Sequence, residues 1–349
     1  MKKLFCAVLV AVLCISTLGF TACIQSVKDE LIWVSTDLLT FCDARQITTT
    51  FPPDEGPRNV TINADVYNVA VYNIEGDQVK VDYTKHSRSD VTVRFDETTE
   101  TVHITQKCYD QLISVKVFLA LVIGIPQSWT GFDLKLNIGA SNLSLEDSKA
   151  ETIKIDSEAC SIKMNVLEGF NKSTEIETEA GSVEFSGQTE ALDVEVDSGS
   201  ITTHDLIATN VSLETNTGSI TLNGNGEGFY AQTVDLSTKT GSITLNGSAD
   251  TIIAKTNTGS IKADMLMVDD LQLATKTGSI KFTVDNALKI NLESNTGSIN
   301  GTIKVNKSWY TIKVNHSTGS CNISNQTGTD VDRQLTVKSG TGSIKIKFN

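Results

Sequence analysis

The sequence predicts an all-β fold: a single-stranded parallel β-helix, or β-solenoid, with coils of about 18–23 residues. Three observations carry this. Gly-Ser-Val/Ile/Cys occurs nine times, at Gly181, Gly199, Gly218, Gly241, Gly259, Gly278, Gly297, Gly319 and Gly342, at intervals of 18 to 23 residues. Around each glycine apolar and polar residues alternate, the period of a half-buried strand. The apolar positions also recur as columns, for example Leu192, Val211, Val234, Ile252 and Leu271 seven residues before the glycine, and Ile220, Ile243, Ile261, Ile280 and Ile299 two after it. Self-similarity near a period of twenty is the mark of a solenoid, in which one unit cannot bury its apolar face alone but a stack can.

The elements follow in chain order. Residues 1–22 read as a signal peptide: Lys2 and Lys3 precede the apolar stretch Leu4–Ile15, which is shorter than a membrane span. Leu18-Gly-Phe-Thr-Ala-Cys23 resembles a bacterial lipobox and marks Cys23 for lipidation, with Phe20 where an aliphatic residue is usual. Ordinary signal cleavage and an uncleaved anchor stay open as alternatives. Diacylglycerol plus an amide-linked chain meets the two-chain requirement for stable anchoring. Residues 23–58 form a lipidated N-terminus and linker, with a short helix expected over Asp29–Phe41 and a turn at Phe51-Pro-Pro.

Residues 59–349 make one β-solenoid, irregular over 59–129 and regular over 130–349. Its first strands are Val60-Thr-Ile62, Val66–Tyr72, Val79–Tyr83, Val91–Phe95 and Thr101–Thr105. Leu112–Ile125 is the most hydrophobic mature segment; Lys116, Pro126 and its β-branched content predict a buried strand rather than a membrane helix. Each regular unit reads as strand, corner, strand and variable return, such as Asn223–Gly228. The glycine supplies the corner conformation, and the following serine a ladder of hydroxyls that bonds corner backbone in adjacent coils. The alternation turns Thr215 and its equivalents Thr238, Thr256 and Thr275 inward. The final strand, Lys345–Phe348, is expected to end the stack, its lysines guarding an exposed edge.

Opening strands Val60–Val71 and Gln78–Tyr83, the Ile125-Pro126 strand end, Phe132-Asp-Leu-Lys-Leu136 and the serial Thr-Gly-Ser-Ile units together resemble the bacterial DUF4097 family, also labelled as adhesins. The resemblance covers about residues 59–349. It implies a single-stranded parallel β-helix and carries no catalytic residues to transfer.

Composition and charge narrow the function. The formal net charge is −13, and removing Lys2 and Lys3 with the signal makes it −15. That excludes a basic nucleic-acid footprint and suits an exported surface. Of seven cysteines, Cys6, Cys14 and Cys23 belong to the signal and lipobox. Cys160 takes the glycine position of an early unit, and Cys321 the isoleucine position after Ser320. The two are eight units apart in sequence, roughly 38 Å at the strand spacing, beyond disulfide reach. A Cys42–Cys108 bridge is compatible with the sequence but no motif supports it. His86, His103, His204 and His316 are scattered, the corner carboxylates Glu179 and Asp197 read as a solvated face, and no cofactor or metal motif is present. Outward Thr-x-Thr rows, which would suit an ice-binding face, are ruled out by a lysine or asparagine at the middle position. Phe185 and Phe282 fall in core columns. The aromatic pairs Phe229-Tyr230 and Trp309-Tyr310 sit in return segments and are the candidate surface-binding residues; Trp129 also lies outside the core columns.

The expected function is therefore a non-enzymatic surface β-solenoid, an adhesin or binding scaffold on the outer face of a bacterial membrane. Its partners are the membrane, through the N-terminal lipid, and a surface protein or glycan. The alternative is an accessory or sensor of envelope-stress signalling that acts through a protein partner. Asn, Lys, Glu and Thr between the core columns are the positions left for recognition.

Overall fold

A computed structural model describes residues 44–49, 57–65, 68–85, 89–108, 120–223 and 228–349. The expected signal peptide, Cys23, the Asp29–Phe41 helix, Cys42, His86 and residues 112–119 of the apolar segment lie outside them, as do residues 51–56 of the proline turn, 66–67 of the Val66–Tyr72 strand and 224–227 of the Asn223–Gly228 return.

The chain builds a parallel β-solenoid of about 11 turns. Each coil has two walls. The front wall holds the strand before the Gly-Ser corner, and the back wall the strand after it. The first strands are β1 (Ala44–Thr49), β2 (Asn59–Ala64), β3 (Asn68–Ile74), β4 (Val79–Thr84), β5 (Ser89–Asp96), β6 (Thr101–Cys108) and β7 (Ala120–Pro126). The regular coils run through β8 (Asp133–Ser148), β9 (Thr152–Val166), β10 (Ser173–Ala180), β11 (Val183–Ser198), β12 (Ile201–Thr217), β13 (Ile220–Leu222), β14 (Phe229–Thr240), β15 (Ile243–Thr258), β16 (Ile261–Thr277), β17 (Ile280–Thr296) and β18 (Ile299–Ile303). The chain ends with β19 (Thr311–Thr318), β20 (Gln334–Thr341) and β21 (Ile344–Phe348).

Between bulges, pairing in the regular coils is in register and parallel. Val194 lies beside Leu213, Leu213 beside Leu236, and Leu236 beside Ala254 on the front wall. On the back wall Ile201, Ile220, Ile243, Ile261, Ile280 and Ile299 stack in one row. Every second residue is buried, so the two walls close on one continuous core in which like side chains repeat at ~4.8 Å. Phe185 and Phe282 are in it, as the columns predict. Trp129 is too, 5% exposed, because the segment after β7 folds in over the core edge.

The return segments differ from the expected loops. In β12, β15, β16 and β17 the strand continues around the second bend. The bend is made by bulges, such as the register shift between Gly247 and Ala249, and by residues at positive φ, including Asp147 and Asp205 at 52°.

The Gly-Ser corners behave as predicted, for two reasons rather than one. All nine glycines have φ between 120° and 158°. They also stack closely: a Cβ on Gly259 would lie 1.9 Å from the carbonyl oxygen of Gly241, and the same clash recurs along the row. The Ser200 hydroxyl accepts from the N–H of Ser219, and that of Ser219 from Ser242, so the hydroxyl ladder is real. The inward threonines complete it. Thr215, Thr238, Thr256 and Thr275 are buried, and each donates to the glycine carbonyl of the preceding coil at 2.9–3.0 Å.

Stacking order departs from chain order at both ends. The coil β2–β3 lies between β6–β7 and β8. At the other end, β20 pairs with β17 on one side and β19 on the other, and β21 pairs with β18. The last coil is thus inserted inside the stack. Lys345 and Lys347 do not guard its end, which corrects the sequential stacking read from the repeat. Cys321 consequently sits one coil further from Cys160 than the sequence count implies, and both thiols are free.

Candidate distal groove

The far end of the stack is capped by the segment between β19 and β20. Ile312 and Gln326 exchange backbone hydrogen bonds as an antiparallel bridge, and Asn325 Oδ1 accepts from Val314 N–H at 2.7 Å. Asn322 acts as a surrogate strand residue: its side-chain oxygen accepts from Ile346 N–H and its amide donates to Ile346 O. These contacts satisfy edge groups that a bare parallel stack would leave open.

The cap holds an open groove of about 430 Å³ lined by Trp309, Thr329, Asp330, Val331 and Arg333. Trp309 ends a short 3₁₀ turn, Lys307–Trp309, which Asn306 initiates by accepting from Ser308 N–H. The chain then enters β19 and turns Tyr310 inward. Thr329 N–H donates to Ser308 O at 2.9 Å and Asp330 N–H to Trp309 O at 3.2 Å, which fastens the opposite lip. Arg333 is the keystone between lip and core. Its Nη1 donates to Ala287 O at 2.6 Å, its Nε lies 3.2 Å from Asp330 Oδ2, and its guanidinium carbon is 5.5 Å from the Trp309 ring centroid. Trp309 is 45% exposed and Val331 86%.

The four aromatic candidates therefore divide. Trp309 lines the groove, and Tyr230 is exposed on a coil edge. Phe229 and Tyr310 are core residues, 1% and 0% exposed, and are withdrawn as surface contacts. In each pair, adjacent residues face opposite ways where the chain is extended. Phe229 packs over Gly247, where even a Cβ would collide with its ring. Tyr310 donates its hydroxyl to Ala287 O, and burial raises its pKa while Arg333 partly offsets that. It stays a neutral donor beside the groove. Asp330, Val331 and Arg333 carry no sequence signal, since the groove arises only when the inserted coil brings 329–333 over Trp309.

Elsewhere the candidate chemistry is dispersed. His204 Nε2 lies 3.8 Å from Glu184 Oε1 at an exposed wall position. Among the described residues no group of three or more His, Cys, Asp or Glu is placed to hold a metal ion, and no helix is long and apolar enough to cross a membrane.

A comparison with curated proteins gives no match. Among solved structures, the chain is similar to a candidate adhesin from Parabacteroides merdae, at 13% identity over 74% of this chain and 95% of the other, with a TM-score of 0.34. It is also similar to a candidate adhesin from Bacteroides fragilis, at 15% identity over 86% and 97%, TM-score 0.26. A candidate cell adhesion protein from Clostridium sporogenes matches at 8% identity over 88% and 100%, TM-score 0.26. Residues 58–248, from the first parallel strand through the coil of Gly241, match the Toastrack DUF4097 family, and the chain belongs to that family.

Proposed function

We propose that the protein is a non-enzymatic scaffold of the bacterial surface, held to the membrane through Cys23, that presents its distal groove to a saccharide. The observation that supports this reading most is the groove itself. It sets the 45% exposed Trp309 indole, with the Arg333 guanidinium packed over its ring, beside a carboxylate and a hydroxyl on the capped end of the stack. An indole face packs on the C–H face of a sugar ring while flanking polar groups bond its hydroxyls. The stack holds the groove roughly 50 Å from the first coils at the strand spacing, as a stalk would. The walls fit a scaffold because their interior is apolar and their outward columns vary from coil to coil.

Glycan-array binding by the exported chain, with Trp309→Ala alongside, tests the reading. The wild type should bind a defined set of glycans and Trp309→Ala should lose at least tenfold in affinity. Tyr230→Ala should bind as the wild type does. A wild type that binds no glycan, or a Trp309→Ala variant that binds equally well, overturns it.

A further inference from the structure

The Gly-Ser corners form one long edge of the solenoid, and the distal half of that edge is basic although the chain as a whole is acidic. Four columns make the edge from the coil of Gly241 to that of Gly342. The outer two carry the charge: Lys239 and Lys276 stand two residues before their glycines, and Lys262, Lys281 and Lys345 three residues after theirs. Between them run the threonine row just before the glycines and the serine row just after. The five lysines are exposed, and no carboxylate stands in the four columns over these coils. In the coils of Gly181, Gly199 and Gly218 the same columns hold Glu179, Asp197 and Glu184 and no lysine. Among the described residues none of the five lysines is in an ion pair. Lys262 and Lys281 even lie side by side on paired strands, a like-charge contact that destabilises the chain alone. The bordering carboxylates are Glu293, 4.0 Å from Lys338, and Asp264, two residues beyond Lys262. Asp235 and Asp270 are farther off, six and eight residues before their glycines. The serine row adds donors. Ser242, Ser260, Ser279 and Ser298 each accept from the next serine N–H at 3.2–3.3 Å, which leaves each hydroxyl proton to donate outward.

We propose that this ridge binds an acidic polysaccharide, a linear polymer of uronate sugars laid along the stacking axis. The polymer's carboxylates meet the two lysine columns, and its hydroxyls meet the serine and threonine rows between them. An ammonium is a compact charge with three donors on a flexible stem, so lysines on both flanks reach a chain that lies over the corner. The hydroxyl rows repeat at ~4.8 Å, close to the rise per ring of an extended chain of pyranoses. Five coils span four such intervals, roughly 19 Å at the strand spacing, and the carboxylates from Asp197 back to Glu179 repel any further length. A nucleic acid fits less well. The ridge is convex and carries no aromatic side chain, whereas single strands bind in grooves and stack on aromatic rings. The distal groove is a separate site: Trp309 precedes the start of β19, and the corner is at that strand's other end.

Titration calorimetry of the exported chain with polygalacturonate tests this, with dextran as a neutral polymer and polythymidylate as a nucleic acid. At 20 mM NaCl the wild type should bind polygalacturonate and not dextran, and its dissociation constant should rise at least tenfold by 300 mM NaCl. K239E/K276E and K262E/K281E should each weaken binding at least tenfold with unchanged circular dichroism. K289E/K313E makes the same charge change on exposed front-wall lysines away from the corner and should bind as the wild type does. So should Trp309→Ala, whatever that variant does to binding in the groove. A wild type that does not bind polygalacturonate overturns the proposal. So does a K289E/K313E variant as weak as the ridge variants, because net charge then draws the polymer. Tighter binding of polythymidylate than of polygalacturonate assigns the ridge to nucleic acid and overturns it. Loss of polygalacturonate binding in Trp309→Ala puts the polymer in the groove and overturns it equally.

Discussion

At the scale of single residues, the stack depends on atoms that are missing. Gly259 shows why: its φ of 151° disfavours an L side chain, and a Cβ would meet the Gly241 carbonyl oxygen at 1.9 Å. Backbone on both sides prevents relief, so Gly259→Ala should cost about 3 kcal/mol or more, combining strain and clash. Urea titration followed by circular dichroism would measure it, and a cost below about 1 kcal/mol would refute the close-stacking account. Cys160 offers a second measurement. Burial is the main cause that pushes its thiol up to about 12 from 9.0, only partly offset by a backbone hydrogen bond. The folded state therefore holds the proton more tightly, and the associated stability is present below about pH 9 and lost as pH rises toward 12. At pH 8.5, peptide mapping after iodoacetamide treatment should find Cys160 unmodified in the native chain and fully alkylated in urea, with the half-buried Cys321 reacting faster. The roles of glycine, serine and inward threonine were legible in the sequence because each is local to one corner. Phe229 and Tyr310 were not. Their inward turn depends on strand alternation continuing through segments that read as loops.

Among the elements, the regular coils were legible and the ends were not, and the difference is physical. A repeat of equivalent units specifies which residues stack but not in which order, because any coil's apolar row fits any other's. Ile290, Leu335 and Ile312 occupy one row in the structure, in the order β17, β20, β19. The order is decided by the linking segments: Asn322, Asn325 and Gln326 fit only over the edge left once β20 and β21 are inside. Deleting residues 334–349 therefore removes an interior coil and takes the pairing of β19 with it. The expected outcome is a lower, broader thermal transition by circular dichroism, with new protease cleavage within 321–333. A truncated chain that melts like the full one would show that β19 moves across to β17 and stacks there equally well. The groove belongs to this same arrangement, since Arg333 reaches Ala287 O on β17 from beyond the cap. A site assembled from 309 and 329–333 by a non-sequential stack has no continuous pattern for a sequence reading to find.

For the whole molecule, two parallel walls on one core form a rod with distinct ends. The first end is finished by antiparallel strands: β5 on β6 in the front wall, and β1 on β4 in the back wall. The second end is finished by the cap and its side-chain surrogates. Among the described residues, both finishes replace the parallel ladder of the walls at the ends of the stack. The insertion of both terminal coils also has a mechanical meaning. A strand at a free edge can be peeled off one hydrogen bond at a time by a pull on its end. Once β1 has come away, a pull on the N-terminus meets β2, which is bonded on both sides, to β6 and to β8. A pull on the C-terminus likewise meets β21, held between β18 and the Cys321–Asn322 segment. Load on the N-terminus must shear two ladders together. Load on the C-terminus must shear one ladder together with the Cys321 bridge and the Asn322 side-chain bonds, so the rod resists being unravelled from either terminus.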